Sequence, residues 1–216
     1  MVRNVSVIKD LYEKSLRQYT CLGFSPNSKY LATGENNGKV RVRVSNSSVM
    51  LFLLSDIVLP QIWIISQRRV SRAFRHGDCI YGLHFSPNGQ CVATCSGRTV
   101  RIWRLRDGSS RVITDLGFYP LSVRFSPDGR YITSGCYSRQ IYICNSRTLK
   151  LLASLGGHAG FISSLVFTPD GKGLLSASYD MSVILWDVTS LSSLGTADPP
   201  SSSVTEVSRL LGHMVR

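Results

Sequence analysis

Acidic residues are scarce in this chain. Aspartate and glutamate number 13 against 25 lysine and arginine residues, which gives a formal net charge of +12 over 216 residues. Nineteen of the basic residues are arginines, and they are spread along the chain rather than gathered in one helix. A basic surface of this kind suits an acidic partner. Because the sequence has no basic helix and no row of stacking side chains, we expect no direct nucleic-acid binding.

Histidine and cysteine are too few and too scattered for a metal site. The chain has 4 His and 6 Cys, no Cys-x-x-Cys, and no His at ligand spacing from a cysteine pair. Cys91 and Cys95 lie on one face of a predicted strand, about 13 Å apart, which is too far for a disulfide. We therefore expect reduced, buried thiols and no cofactor. The first ten residues lack the apolar core of a signal peptide, so secretion is not expected.

Long hydrophobic runs are also missing. The most apolar stretch, Val49–Ile65, has 17 residues, with Asp56 near its centre and Pro60 inside it. A transmembrane helix needs about 20 apolar residues, and a central aspartate costs several kcal/mol there. We expect no membrane span.

What the chain does contain is a five-residue motif that occurs four times. Phe-Ser-Pro-Asn/Asp-Gly occurs, with single replacements in the first and last copies, at Phe24–Ser28, Phe85–Gly89, Phe125–Gly129 and Phe167–Gly171. The last three phenylalanines lie 40 and 42 residues apart. A period of about 40–45 residues with short apolar strands is typical of propeller blades.

The third copy illustrates the predicted blade. Leu121–Phe125 alternates apolar and polar residues, a Pro-Asp-Gly turn follows, and strands are predicted at Tyr131–Gly135, Gln140–Cys144 and Leu149–Leu155. Such a four-stranded meander buries both faces only when it is stacked between copies of itself. The pattern indicates a protein that offers surfaces rather than a catalytic centre.

Four marks make the chain resemble the WD-repeat family: Gly157-His158, Gly212-His213, Ile102-Trp103 and Leu185-Trp186-Asp187. The resemblance covers nearly the whole chain. It implies an all-β fold, a partial (open or truncated) WD-repeat β-propeller of about four four-stranded antiparallel blades. We expect a single domain over 1–216, with blades at roughly 12–74, 76–115, 118–155 and 158–211.

In the fourth repeat the resemblance implies a structural hydrogen-bond chain. Its expected members are His158, Ser176 or Ser178, Asp180 and Trp186. Serine, histidine and aspartate also form hydrolase triads, but no nucleophile turn or oxyanion hole accompanies them here, so we expect no enzyme.

The second and third repeats depart from the family pattern. Arg98 stands in the tight turn of the second repeat, which has no Asp there, and Cys144 stands where the third repeat should have Trp. We expect these blades to be less well held than the fourth.

The first repeat contains about 20 residues too many. Phe24 and Phe85 are 61 residues apart, and removing Val42–Gln61 would reduce this to 61 − 20 = 41 and leave the strand Gly-Lys-Val-Arg-Ile-Trp. Valine codons begin with GT, and CAG encodes glutamine, which are the ends of a typical intron. One hypothesis is therefore that 42–61 is a translated intron; a surface loop and a membrane-associated segment are the alternatives.

The order of motifs resembles one branch of the family, the fungal general transcriptional corepressor of the Tup/Groucho type. The resemblance rests on Cys21–Pro26, Tyr30–Gly34, Thr99–Trp103 and Val166–Gly171, and on a Ser-, Pro- and Gly-rich loop at Thr189–Ser203. It implies a nuclear protein-interaction scaffold that recruits DNA-bound transcription regulators. A cytoplasmic location and a role among the subunits of another complex are the alternatives.

The expected partner-binding residues lie before the first strand of each blade and in its tight turn. Buried interface anchors tend to be aromatic or arginine. The candidates are Arg98, Tyr119, Tyr137, Arg139, Phe161 and Tyr179. Packing at strand ends is the alternative role for the aromatic members.

Propellers of this family usually close with seven blades, whereas this chain has material for about four and lacks the N-terminal oligomerisation helix. We expect a truncated copy, a fragmentary gene model or a degenerate paralogue, with further blades supplied by missing sequence. A decayed fragment with no independent function is the alternative to a scaffold.

Overall fold

A computed structural model describes residues 19–44, 51–53, 61–63, 70–113, 119–193 and 204–211. Apart from a 3₁₀ turn at Thr189–Ser193, all regular structure in these ranges is β, as four antiparallel four-stranded sheets and one two-stranded hairpin. None of the described residues forms a helix long and apolar enough to cross a membrane. The predicted all-β fold of four blades is confirmed.

The first half of the chain forms two blades. Blade 1 consists of β1 (Tyr19–Phe24), β2 (Tyr30–Glu35), β3 (Lys39–Val44) and, after the hairpin of β4 (Leu51–Leu53) and β5 (Gln61–Trp63), β6 (Val70–Arg75). Blade 2 consists of β7 (Ile80–Phe85), β8 (Cys91–Ser96), β9 (Thr99–Arg104) and β10 (Ser110–Ile113).

The second half repeats the arrangement. Blade 3 consists of β11 (Pro120–Phe125), β12 (Tyr131–Cys136), β13 (Gln140–Asn145) and β14 (Leu151–Gly156). Blade 4 consists of β15 (Ile162–Phe167), β16 (Gly173–Ser178), β17 (Ser182–Asp187) and β18 (Thr205–Leu211).

The repeated Phe-Ser-Pro-Asp-Gly motif forms the turn between the first two strands of each blade. In blade 3 the Ser126 hydroxyl donates to Asp128 Oδ1 at 2.6 Å and accepts from the Tyr131 backbone amide at 2.9 Å. Gly129 has a φ of 73°, a left-handed conformation that glycine adopts without strain. Because the hydroxyl ties the turn to the start of the second strand, the motif fixes the hairpin locally.

Successive blades pack face to face, and each contact is a separate hydrophobic core. Between blades 3 and 4, Ile141 and Ile143 of β13 pack with Leu165 and Ile184 of blade 4. Some of these contacts are close enough to require glycine, and a Cβ on Gly135 would lie 2.5 Å from Ile162 Cγ2. A Cβ on Gly34 of blade 1 would meet Ile80 of blade 2 at 2.6 Å in the same way.

The first strands of the blades follow one another in chain order. β1 contacts β7, β7 contacts β11, and β11 contacts β15. The four blades thus form an open arc, with each blade covering the one before it.

The 42–61 segment is divided among three elements. Val42 lies within β3, where it pairs with Ala32 and Arg72, and Gln61 begins β5. Residues 45–50 and 54–60 lie outside the described ranges, and the origin of the segment stays a prediction.

His84 joins blade 2 to blade 3 and gives the fold an acid-sensitive contact. Its Nδ1 accepts the backbone N–H of Phe125 at 3.1 Å, which requires a neutral ring. Burial, helped by the nearby Arg124, lowers the pKa of His84 from 6.5 to about 4.

The unfolded chain therefore binds a proton that the folded chain does not between about pH 6.5 and 4. We expect the free energy of unfolding to fall as the pH drops through this window, by at most about 1.4 kcal/mol per pH unit for each such histidine. Urea unfolding at pH 5.0, 6.0 and 7.0 should show a shallower dependence in His84→Gln than in the unchanged chain. Equal slopes in the two proteins would contradict the assignment.

Candidate functional site

A series of hydrogen bonds links four polar side chains of blade 4, and we call it the polar chain. The Trp186 indole N–H donates to Ser176 Oγ at 2.8 Å, and Ser176 Oγ lies 2.8 Å from His158 Nε2. His158 Nδ1 lies 2.9 Å from Asp180 Oδ2, and because a carboxylate can only accept, Nδ1 carries a proton. Ser178 is not part of this chain; its hydroxyl accepts the Asp180 backbone amide at 3.1 Å.

Asp180 anchors the chain as a carboxylate. Partial desolvation opposes its ionisation, but hydrogen bonds from Ser182, His158 and the Ala159 amide outweigh this and hold the pKa of Asp180 well below its usual range. Ser176 is completely buried and both roles of its hydroxyl are occupied. The serine therefore cannot reach a substrate, and the set is a structural staple rather than a hydrolase triad.

Blade 2 has a hydrogen-bonded set of its own, in which two threonines take part and no aspartate bonds the histidine. His76 Nδ1 lies 3.0 Å from Thr94 Oγ1, its Nε2 lies 2.9 Å from Thr99 Oγ1, and the Trp103 indole donates to Thr94 at 2.8 Å. Burial, with a further contribution from Arg101, lowers the pKa of His76 from 6.5 to about 4. The expectation that blade 2 is less well held than blade 4 did not consider Thr94 and Thr99, which stand at the positions of Ser176 and Ser182. No aspartate takes part in the hydrogen bonds of His76, and the relative stability of the two blades stays a prediction.

Blade 1 has a threonine that could accept such a hydrogen bond, but it has no tryptophan to donate it. Thr33 stands where Thr94 and Ser176 stand, and its Oγ1 is buried with no hydrogen-bond partner among the described residues. In blades 2 and 4 the tryptophan pairs across the sheet with Val92 and Leu174; in blade 1, Arg43 pairs with the equivalent Leu31. An arginine thus occupies the strand position that holds tryptophan elsewhere.

Four of the six predicted partner-binding residues are positioned by one backbone contact that recurs in blades 3 and 4. The Tyr137 amide donates to the Tyr119 carbonyl at 2.8 Å, and the Tyr179 amide donates to the Phe161 carbonyl at 3.0 Å. In each blade this contact joins the residue before the first strand to the turn after the second strand. The side chains of both segments are therefore presented at the same rim of the arc.

Three of the six candidates form one aromatic stack across the boundary between blades. Tyr137 of blade 3 stacks on Phe161 of blade 4, with ring centroids 4.9 Å apart and an interplanar angle of 15°. Phe161 also contacts Tyr179, at 4.0 Å and 31°. The outer rings are 60% and 65% exposed, whereas Phe161 is half-buried between them.

The other three candidates lie along the same rim but outside the stack. Tyr119 is 51% exposed. Arg139 is exposed in the turn that carries Tyr137, with a φ of 70°, and Arg98 is exposed in the corresponding turn of blade 2. The rim therefore combines exposed aromatic rings with positive charge.

Sequence reasoning missed two further exposed side chains. Tyr81 is 43% exposed in β7, and Met181 is 59% exposed in the turn that carries Tyr179. Burial, and then the neighbouring Cys79 and Asp78, raise the pKa of Tyr81, so its hydroxyl is neutral at physiological pH. The alternation along β7 could have indicated Tyr81, because the adjacent Ile80 is completely buried.

Three of the cysteines, Cys95, Cys136 and Cys144, are buried, and the other three are partly buried. All six are free thiols. Burial raises the pKa of Cys21 and Cys144 to about 11 and that of Cys136 to about 12, so they stay protonated. The described ranges contain no group of three His, Cys, Asp or Glu side chains that could hold a metal ion.

Comparison with known proteins gives one family. A family model described as "WD domain, G-beta repeat" matches residues 13–43, 68–104, 111–145 and 149–187. The second to fourth matched segments begin around the last strand of one blade and end with the third strand of the next. Each sequence repeat therefore joins two neighbouring blades covalently.

The individual relatives have low sequence identity to this chain. The chain is 24% identical to WD repeat-containing protein 1 of Gallus gallus, over 91% of the chain and 38% of the relative. It is 27% identical to protein HIR1 of Kluyveromyces lactis, over 79% and 22%, and 23% identical to actin-interacting protein 1 of Drosophila melanogaster, over 88% and 37%. The chain spans less than two fifths of the length of these relatives. None of the three names refers to a Tup/Groucho-type corepressor.

The staple of blade 4 can be tested with two neighbouring serines. Ser176→Ala removes the acceptor of the Trp186 indole and the partner of His158, so we expect it to lower the free energy of unfolding by about 1–3 kcal/mol. Ser178→Ala removes a hydroxyl outside the chain and should cost clearly less. Urea unfolding at pH 7 compares the two, and equal losses would contradict the chain.

Blade 1 lacks the tryptophan that would donate a hydrogen bond to Thr33, and this leads to a second prediction. Deleting 42–61 places Trp63 opposite Leu31, where its indole can donate to Thr33. We expect the deletion to raise the free energy of unfolding by about 2–4 kcal/mol, from burial of the indole and one hydrogen bond. The matched control is the same deletion with Trp63→Arg, which should lose the gain. A deletion variant with a lower urea midpoint than the 216-residue chain would contradict this placement.

Proposed function

This chain belongs to the WD-repeat family, and we propose that it acts as a protein–protein interaction scaffold resembling the propeller of a nuclear transcriptional corepressor of the Tup/Groucho type. In this role no bond is made or broken. DNA-bound transcription regulators bind the rim, and the chain holds them near other components. The proposed site of action is the nucleus.

The observation that carries the proposal is the aromatic stack of Tyr137, Phe161 and Tyr179. Two tyrosine rings more than half exposed, fixed in place by a third ring between them, lose little conformational freedom on binding. Rigid aromatic side chains with nearby arginines have the composition of interface hot spots. The stack also spans two blades, so a ligand bound there would contact both.

The positive charge of the rim indicates which chemical class of partner we propose. Arg98 and Arg139 are exposed on the same rim, and the chain carries a net charge of +12. An extended segment in which acidic residues alternate with apolar ones would match both the arginines and the rings. Such segments are common in disordered regions of transcription regulators.

A second function is favoured by one specific observation. Blade 1 has Arg43 where blades 2 and 4 have tryptophan, and its Thr33 hydroxyl is buried with no partner in the described ranges. A decayed repeat would lose its staple in this way. The second candidate is therefore a fragment without independent function, and it predicts aggregation rather than cooperative unfolding.

The test of the scaffold is a pull-down from nuclear extract with the immobilised 216-residue chain, followed by mass spectrometry. We expect DNA-binding regulators to be enriched, and the double change Tyr137→Ala and Tyr179→Ala to reduce their recovery at least tenfold. Both rings are exposed, so the change should leave folding intact. The matched control is Leu151→Ala, which truncates a side chain 52% exposed on β14.

Two results would count against the proposal. Recovery of regulators unaffected by loss of the rings would remove the rim as the binding site. Enrichment of no regulator at all by a cooperatively unfolding chain would remove the corepressor-like role while leaving the fold intact.

A further inference from the structure

The aromatic stack of the rim continues toward blade 2. The Tyr119 carbonyl, just before β11, accepts the Tyr137 backbone amide at 2.8 Å, so Tyr119 lies beside one end of the stack. β7 and β11 approach so closely that a Cβ on Gly82 would lie 3.2 Å from the Leu121 carbonyl oxygen. Because Tyr81 adjoins Gly82, it lies at the same boundary between blades as Tyr119.

Five rings therefore follow one another along the rim. We call them the aromatic row: Tyr81, Tyr119, Tyr137, Phe161 and Tyr179. Tyr119 is close enough to contribute, after burial, Cys79 and Asp78, to the raised pKa of Tyr81. The four tyrosines are between 43% and 65% exposed, and the row crosses two boundaries between blades.

The backbone that carries these rings is already hydrogen-bonded. The amides of Tyr137 and Tyr179 donate to the carbonyls of Tyr119 and Phe161. A ligand that adds to a sheet as a further strand needs unpaired backbone donors and acceptors. Contacts between the row and a ligand are therefore made by side chains.

Two other common modes of peptide recognition fit the rim poorly. A groove for an amphipathic helix needs a continuous apolar stripe, but Met181 is the only large aliphatic side chain exposed in the described turns of the rim. Recognition of a phosphorylated peptide needs a cluster of arginines, whereas Arg98 and Arg139 lie in turns of different blades.

A polyproline II helix matches the row better. It has no internal hydrogen bonds, so its carbonyl groups are available as acceptors. A tyrosine offers a ring face to the apolar proline ring and a hydroxyl that donates to a carbonyl. Tyr81 can donate in this way because its raised pKa keeps the hydroxyl protonated. Grooves lined by aromatic side chains are the usual binding sites for such segments.

We propose that the aromatic row binds a proline-rich segment of the partner in the polyproline II conformation, with acidic residues of the segment facing Arg98 and Arg139. A segment that is already stiff loses little conformational entropy on binding, and its acidic residues complement the net charge of +12. The inference rests on the proposed function, because it names the ligand of the same rim. It adds Tyr81 and Tyr119 to the binding site.

A peptide probe tests the ligand chemistry. The probe is a fluorescein-labelled peptide of about 12 residues that repeats Asp-Pro-Pro, about 37 Å long in the polyproline II conformation. Its matched control has leucine in place of every proline, which keeps the charge and the apolar character. We expect fluorescence anisotropy to show at least about tenfold tighter binding of the proline peptide. Equal or tighter binding of the leucine peptide would overturn the proposal.

Substitutions in the added part of the row test the site. Tyr81→Ala and Tyr119→Ala should each weaken binding of the proline peptide at least about fivefold. Tyr119→Phe keeps the ring and removes the hydroxyl, so it should lose less than Tyr119→Ala. Both tyrosines are exposed, and urea midpoints close to that of the unchanged chain would confirm that the variants fold. The matched control is Leu151→Ala on β14, which should bind as the unchanged chain does, and unaltered binding by both alanine variants would overturn the proposal.

Competition separates this proposal from the proposed function. An excess of unlabelled proline peptide should displace the regulators captured from nuclear extract, and the leucine peptide should not. Regulators that require Tyr137 and Tyr179 but resist the proline peptide would overturn the present proposal and leave the scaffold in place. Binding of the proline peptide by the row, with no regulator recovered, would support the row as a proline-rich site and remove the corepressor-like role.

Discussion

The structure depends on one constraint: a small sheet with two apolar faces must be covered on both. Among the residues that the structure describes, no blade has a core of its own. The three hydrophobic cores lie between blades, and closely approaching contacts such as Gly135 with Ile162 fix how near each sheet comes to the next. Stability is therefore shared between neighbours.

Hydrogen bonds of two histidines also connect neighbouring blades. His76 follows the last strand of blade 1 and bonds within blade 2, and His158 follows the last strand of blade 3 and bonds within blade 4. Each histidine thus ties the segment between two blades to the blade that follows. Blade 1 has no such staple in the described ranges, because Thr33 has no donor there, and it is also the blade interrupted by the extra residues.

The same turns that build the blades also present the candidate binding side chains. The backbone contact between Phe161 and Tyr179 closes the end of blade 4, and it also holds both rings at the rim. A fold made of repeated turns can change its rim residues without changing its cores. This is why the family membership supports a scaffold in general, while the identity of the partner depends on a few exposed side chains.

The sequence by itself determined the repeated turns and the strands beside them, because these follow from local chemistry: a Ser or Thr hydroxyl, a carboxyl or amide oxygen and, in three copies, a glycine form the turn, as at Ser126–Gly129. It also placed His158, Asp180 and Trp186 in one repeat. Only the tertiary structure decided that Phe161 lies between rings from two blades, that Thr94 and Thr99 bond His76 in a second hydrogen-bonded set, and that Tyr81 and Tyr119 lie at one boundary between blades. Those features depend on how one blade meets the next, and a repeat period carries no information about that distance or angle.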